Sequence, residues 1–140
     1  MSLIDTSAWV EFLRRTHSPI HRAVSESLER ETPMHTTDVV VMEVLAGARD
    51  AEHEQQLRRL LARCEFLPLE GLASYEAAAG LYRSCRAAGE TPRALTDCLI
   101  GVVALHFGIP VLHNDRDFDL LGRLAGVPTE RGEPGGTAGR

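Results

Sequence analysis

Residues 95–119 read LTDCLIGVVALHFGIPVLHNDRDFD, and the fold turns on how this stretch divides. Thr96 and Asp97 stand at the mouth of a segment, Cys98 to Leu105, that carries no charge at all. A helix with that composition is buried on most of its surface. Gly108 and Pro110 then punctuate the chain, and Ile109, Val111 and Leu112 form a short apolar run between turn residues, the pattern of a buried parallel strand. That strand runs straight into Asn114, Asp115, Asp117 and Asp119. A core helix and a core strand each carry acidic groups at one end, and carboxylates gathered at the rim of an apolar core need a counter-ion.

Working outward, strand and helix signals alternate. Ser2 to Ile4 is a short apolar opening, followed by Asp5-Thr6-Ser7 and a helix in which Trp9, Phe12 and Leu13 share a face. Asp5, at the end of strand one, also suits a helix cap. Ile20 to Glu31 is an amphipathic helix, and Met34 to Thr36 a second strand. Thr37-Asp38 opens the helix VVVMEVLAGAR, in which Glu43 projects from an apolar stripe and so demands either a salt bridge to an arginine or a cation. Glu52 to Cys64 is a helix with a leucine face and an arginine face, Phe66 to Leu69 a third strand, and Ala73 to Ala88 a helix stopped by Gly89. Val127-Pro128 reads as a last edge strand, and residues 131–140, rich in Gly and Pro, as a disordered tail. His17 and His21 are four apart, but Pro19 between them breaks the helix a metal pair requires.

The alternation predicts one α/β domain over residues 1–130, a three-layer α/β/α sandwich on a mostly parallel sheet of four to five strands. At 140 residues the chain suffices for an ordinary core. The formal net charge of -5 argues against a surface that grips nucleic acid over its whole extent, though not against a local basic rim. All fifteen basic residues are Arg, and the absence of Lys excludes catalytic lysines. Cys64, Cys85 and Cys98 are odd in number with no CxxC spacing, which predicts free thiols. No apolar run approaches the ~18 residues of a membrane span, and Met1 to Asp5 holds no signal segment, so a cytoplasmic protein is expected.

In parallel sheets ligands gather beyond the carboxyl ends of the strands. Asp5 and Asp115 belong at that edge, Asp97 faces it from a helix start, and Glu43 reaches in from its helix. All-oxygen ligation of this kind suits Mg²⁺ or Mn²⁺, and no cluster of His and Cys converges to favour zinc. Metal held by carboxylates activates water for in-line attack on a phosphodiester. Thr6, Ser7, Thr96 and Asn114 are placed to orient that water or a ligand carboxylate, and Arg14, Arg15, Arg93 and Arg116 to contact phosphate. A receiver domain is excluded for want of its lysine, and a P-loop or dinucleotide fold for want of a Gly-rich loop.

Four separated pieces resemble a known family. Asp5-Thr6-Ser7-Ala8-Trp9, Glu43-Val44-Leu45-Ala46-Gly47, Thr96-Asp97-Cys98-Leu99-Ile100-Gly101 and Asn114-Asp115-Arg116-Asp117-Phe118 resemble, in order, the motifs of PIN-domain ribonucleases, and among them the VapC-type toxins of bacterial toxin–antitoxin pairs. The resemblance implies metal ligation by Asp5, Glu43, Asp97 and Asp115, with Asp117 as an additional or alternative acid. It implies Mg²⁺- or Mn²⁺-dependent endonucleolytic cutting of structured RNA such as tRNA or rRNA, which stops translation. It also implies a VapB-type antitoxin laid across the groove, and assembly as a homodimer or a toxin–antitoxin hetero-oligomer. His113 departs from the pattern, since many relatives place a Thr there. The rival expectation is a non-catalytic PIN scaffold retained for protein or RNA contact.

Overall fold

The strand opened by Ser2 becomes the centre of the sheet. In the computed structural model, which describes residues 1–132, β1 (Ser2–Ile4) pairs with β2 (Met34–Thr36) on one side and β4 (Val111–Leu112) on the other, and β3 (Glu65–Phe66) and β5 (Thr129–Glu130) form the edges. The order is β3-β2-β1-β4-β5 and every pairing is parallel, so the expected mostly parallel sheet is wholly so. The register aligns Leu3 with Val111 and Ile4 with Leu112.

The connections explain where a site can form. From β1 the chain passes through α1 (Thr6–Leu13) and α2 (Pro19–Arg30) to β2, then through α3 (Asp38–Ala46) and α4 (Ala51–Leu61) to β3. It returns through α5 (Leu72–Ala87) and α6 (Leu95–Phe107) to β4, and through α7 (Arg116–Ala125) to β5. Right-handed crossovers put α1–α4 on one face and α5–α7 on the other, because the direction of travel across the sheet reverses. The reversal falls between β1 and β4, and a crevice opens there at the carboxyl ends. Asp5 and His113 are the residues that leave those two strands.

Both faces bury aliphatic and aromatic side chains. Trp9, Val24, Val40 and Leu57 come from the first set of helices and Ala78, Ile100, Phe118 and Leu121 from the second, and they share one core with the strand residues Leu3, Ile4, Val111 and Leu112. α6 is the helix without charge in its body, and its residues 97–101, 103 and 104 are buried. Gly101 lets it pack this closely: a Cβ there would stand 3.2 Å from Val127 and 3.3 Å from Leu81. Cys85 and Cys98 are buried free thiols and Cys64 a half-buried one.

Several boundaries differ from the sequence reading, each for a local reason. The third strand is Glu65–Phe66 rather than 66–69, with one further bond from the Leu67 N–H to the Thr36 carbonyl. Pro68, lacking an N–H, ends the ladder. The last strand is Thr129–Glu130 rather than 127–128, because the Val127 N–H still closes the end of α7 on Leu121 O, 3.2 Å away. Among the described residues no helix is long and apolar enough to cross a membrane. The tail expected over 131–140 falls mostly outside the described residues. Arg131, however, is anchored by Asp119 and Asn114.

Candidate active site

Asp5 occupies two roles. As N-cap of α1 its Oδ2 accepts the Ser7 N–H at 3.0 Å and the Ser7 hydroxyl at 2.5 Å. Its backbone N–H is pinned to Leu112 O at 3.0 Å, so the cap is fixed to the end of β4. The other oxygen, Oδ1, is buried with no hydrogen-bond donor. Burial chiefly, with the charge of Glu43, raises the Asp5 carboxyl to about 6 against the opposing bonds from Ser7.

The densest acid cluster lies next to it. One carboxylate oxygen each from Asp97, Asp115 and Asp117 lie within 4.8 Å of one another. Asp97 and Asp117 are buried and Asp115 half-buried. α6 begins at Leu95 with no side-chain cap, which leaves the Asp97 carboxylate free to face the crevice from its first turn. Burial, then a hydrogen bond to Asp117, then the charges of Asp5, Asp115 and Asp117 push it up to about 9. Asp115 caps α7 through Oδ1 and the Asp117 N–H at 2.9 Å. Asp117, two positions on, then turns inward. Its Oδ2 accepts the backbone N–H groups of Arg93 (2.8 Å) and Ala94 (3.0 Å), and its Oδ1 is buried without a donor. Burial favours its neutral form, but those amides, Asp97 and Arg93 outweigh it and hold Asp117 below the usual range.

Of the residues expected to ligate metal, the structure thus brings Asp97, Asp115 and Asp117 together, with Asp5 and Asp97 close enough for Asp5 to raise its neighbour. Glu43 is the outlying member. Half-buried on α3, it accepts the Thr6 hydroxyl at 2.8 Å, and among the described residues no arginine pairs with it. Ser7 is the keystone of the supporting set, since its hydroxyl donates to Asp5 and accepts the Asn114 N–H at 2.8 Å. Thr96 is half-buried beside Asp97. Among the arginines expected to meet phosphate, Arg93 stands over the cluster and Arg14 lines a groove with Thr6, Trp9 and Glu43. Arg116 turns to Glu90 at 4.0 Å, and Arg15 is exposed in the turn after α1 with φ of 52°.

Three contributors escape the sequence reading. His113 is 1% exposed, and its Nδ1 accepts the Asp115 N–H at 3.1 Å. Burial chiefly, with the charge of Arg131, lowers its pKa, so the ring is neutral with its proton on Nε2. In place of a threonine hydroxyl this position supplies a ring that shapes the turn carrying Asp115. Asp119 and Arg131 are the other two. Their guanidinium–carboxylate contact has bonds of 2.6 and 3.2 Å, while Arg131 Nη1 donates to Asn114 Oδ1 at 2.9 Å and Asn114 Nδ2 to Glu11 at 3.2 Å. Gly132, with φ of 79°, lies so close to Pro19 that a Cβ would stand 2.9 Å from its carbonyl oxygen. The chain beyond β5 therefore clamps the Asn114 turn from outside. Arg131→Ala is expected to lower Tm by roughly 1–4 °C, as for a half-exposed ion pair, and to speed hydrogen exchange at the Asn114 amide. Unchanged exchange there would show that the clamp holds nothing.

Every candidate ligand atom is a carboxylate oxygen, two of those oxygens are buried without donors, and two of the acids are raised far above their ordinary range. A crowd of this kind is relieved either by protons or by a hard cation, and the residues fit a divalent ion with oxygen ligands.

Residues 2–124 match the family described as PIN domain. The chain belongs to the PIN-domain family. This PIN domain is 39% identical over 131 residues to Ribonuclease VapC11 of Mycobacterium tuberculosis (strain ATCC 25618 / H37Rv), spanning 91% of this chain and 96% of that protein. It is 32% identical over 136 residues to Ribonuclease VapC51 of the same strain, spanning 96% and 95%. Among solved structures, a chain of VapBC2 from Rickettsia felis bound to a promoter DNA fragment superposes with a TM-score of 0.71 at 16% identity, covering 92% of this PIN domain and 96% of that chain. At that identity the likeness speaks for the fold.

Proposed function

We propose that this PIN domain, residues 1–130, is the toxin of a VapBC-type pair. It is an endoribonuclease of the cytoplasm that cuts structured RNA, tRNA or rRNA, with Mg²⁺ or Mn²⁺, and a VapB-type antitoxin restrains it. Support comes from the named ribonuclease relatives and above all from one observation: Asp97, Asp115 and Asp117 converge beside Asp5 at the point where the sheet reverses direction.

Asp97, Asp115, Asp117 and Asp5 would hold the ion, with Glu43 reached through Thr6. When bound, a divalent cation supplies a nucleophilic water at neutral pH and neutralises charge on the phosphodiester. The chain's own residues do the positioning. Ser7 fixes Asp5 by its hydroxyl and its amide, the Arg93 and Ala94 amides fix Asp117, and His113 fixes the backbone that presents Asp115. None of these groups needs to change protonation for the scissile bond to break.

The direct experiment measures cleavage of labelled tRNA and rRNA by the purified protein. Cutting is expected with Mg²⁺ or Mn²⁺ and none in excess chelator. An undiminished rate in chelator overturns the metal-dependent reading. Tight RNA binding without cleavage under any divalent ion would favour the non-catalytic scaffold instead.

A further inference from the structure

Among the described residues, one cation pairs with the five acids of the crevice. Arg93 Nη2 lies 3.7 Å from Asp115 Oδ1, and Arg93 Nε lies 3.7 Å from Asp117 Oδ1, the oxygen that lacks a donor. Among the described residues no other arginine lies within 4.0 Å of Asp5, Glu43, Asp97, Asp115 or Asp117. At 3.7 Å the guanidinium attracts both carboxylates without completing a hydrogen bond to either. Its side chain is 70% exposed, so the head can leave without unpacking anything. The main chain behaves differently. The Arg93 and Ala94 amides bind the opposite oxygen of Asp117 at 2.8 and 3.0 Å, and the preceding Pro92 is buried. The loop is therefore fixed while its one cationic side chain is free to swing.

We propose that Arg93 is the resident counter-cation of the acidic crevice: its guanidinium occupies Asp115 and Asp117 while the site is free of metal, competes with the divalent ion for them, and moves onto an RNA phosphate when that ion enters. The inference rests on the nuclease reading and adds a positioning residue to it. A guanidinium suits both places. It presents a planar fork of donors that fits two carboxylates or a phosphate, and it never loses its charge. Without it the carboxylates of the metal-free site would face one another with no cation between them. With it, the protein keeps the crevice folded until an ion displaces a partner that is held loosely.

Competition makes a prediction opposite to that for a supporting residue, because removing a competitor tightens metal binding. Mn²⁺ binding is measured by calorimetry and by electron paramagnetic resonance on the parent protein, Arg93→Gln and Arg93→Lys, with no RNA present and folding checked by circular dichroism. Arg93→Gln is expected to bind Mn²⁺ about two- to tenfold more tightly, the range for the loss of two loose ion pairs made by an exposed guanidinium. Arg93→Lys, a point charge that cannot face both carboxylates at once, is expected to fall between. With a 2′-O-methyl RNA oligonucleotide, which resists cleavage, Arg93→Gln is expected to show a log K against log salt slope shallower by roughly 0.7, one phosphate contact fewer on a single strand. Equal or weaker Mn²⁺ affinity in Arg93→Gln overturns the competition, and an unchanged salt slope overturns the move to phosphate. If neither the parent nor Arg93→Gln binds Mn²⁺, the nuclease reading itself is overturned and this inference goes with it.

Discussion

Asp97→Asn is expected to abolish RNA cleavage, by at least roughly a thousandfold, while leaving a folded protein that is more stable than its parent at pH 8 in chelator. The two halves have one cause. Asp97 is buried in the first turn of α6 with three other aspartates acting on it, so its charge is disfavoured unless a cation answers it. Replacing the carboxylate by an amide of the same shape removes that cost, and it also removes a ligand. A metal ion contributes several kcal/mol to charge stabilisation in phosphodiester hydrolysis, and each 1.36 kcal/mol is a factor of ten in rate. Single-turnover cleavage of a labelled RNA checks the first half, and calorimetric melting of metal-free protein the second. A variant that cuts within tenfold of the parent would mean that Asp97 binds no ion used in the reaction. One that melts lower at pH 8 would mean that its charge is already compensated in the metal-free fold.

How much of the site is legible in the sequence depends on the range over which each signal acts. Asp5, Asp97 and Asp115 can be placed from the sequence because each sits where an apolar strand or helix begins or ends, and parallel topology sends those ends to one edge. Glu43 announces itself as a charge among valines. The relation between Asp115 and Asp117 is not legible, since it depends on which of them takes the cap of α7: once Asp115 accepts the Asp117 amide, helical phase turns Asp117 into the crevice. The edge strands are misplaced by one to three residues because a two-residue strand has no periodicity to read. Arg131 lies in a segment whose Gly and Pro content predicts disorder, and its partners Asp119 and Asn114 are 12 and 17 positions away, beyond any local pattern. His113 shows in the sequence only as a departure. That its ring nitrogen holds the Asp115 amide is a matter of rotamer and burial, which spacing does not encode.

Raising the pH from 5.5 to 8.5 in chelator is expected to lower Tm, and saturating Mg²⁺ or Mn²⁺ is expected to abolish the decline. Asp5 has a folded pKa of about 6 and Asp97 of about 9, both above the 3.8 of an unperturbed aspartate. An acid whose pKa is raised on folding is favoured in its protonated form. The stability it contributes is complete below about 3.8 and is lost as pH climbs, through about 6 for Asp5 and about 9 for Asp97. For Asp5 a displacement of about two units corresponds to roughly 3 kcal/mol at 1.36 kcal/mol per unit, but most of that is lost below pH 5.5, so Asp97, which titrates up to about 9, carries the decline above it. Asp117, Asp119, Glu11 and Glu90 oppose this only at the acidic end, losing their contribution as pH falls below the ordinary carboxylate range, and His113, whose pKa is lowered on folding, opposes it only below its ordinary value of about 6.5. Metal-free protein should therefore be most stable near pH 5. A divalent ion that binds only the folded state adds stability by mass action, and it binds best where the aspartates are ionised, so its effect on Tm grows with pH as the intrinsic stability falls. Proton release on Mn²⁺ binding, measured by calorimetry at pH 7 in buffers of different ionisation enthalpy, tests the same linkage from the other side, and Asp97→Asn should release fewer protons than the parent. A Tm that is flat from pH 5.5 to 8.5 in chelator would show that the crevice bears its negative charge without a divalent ion, and the electrostatic case for a metal would be gone.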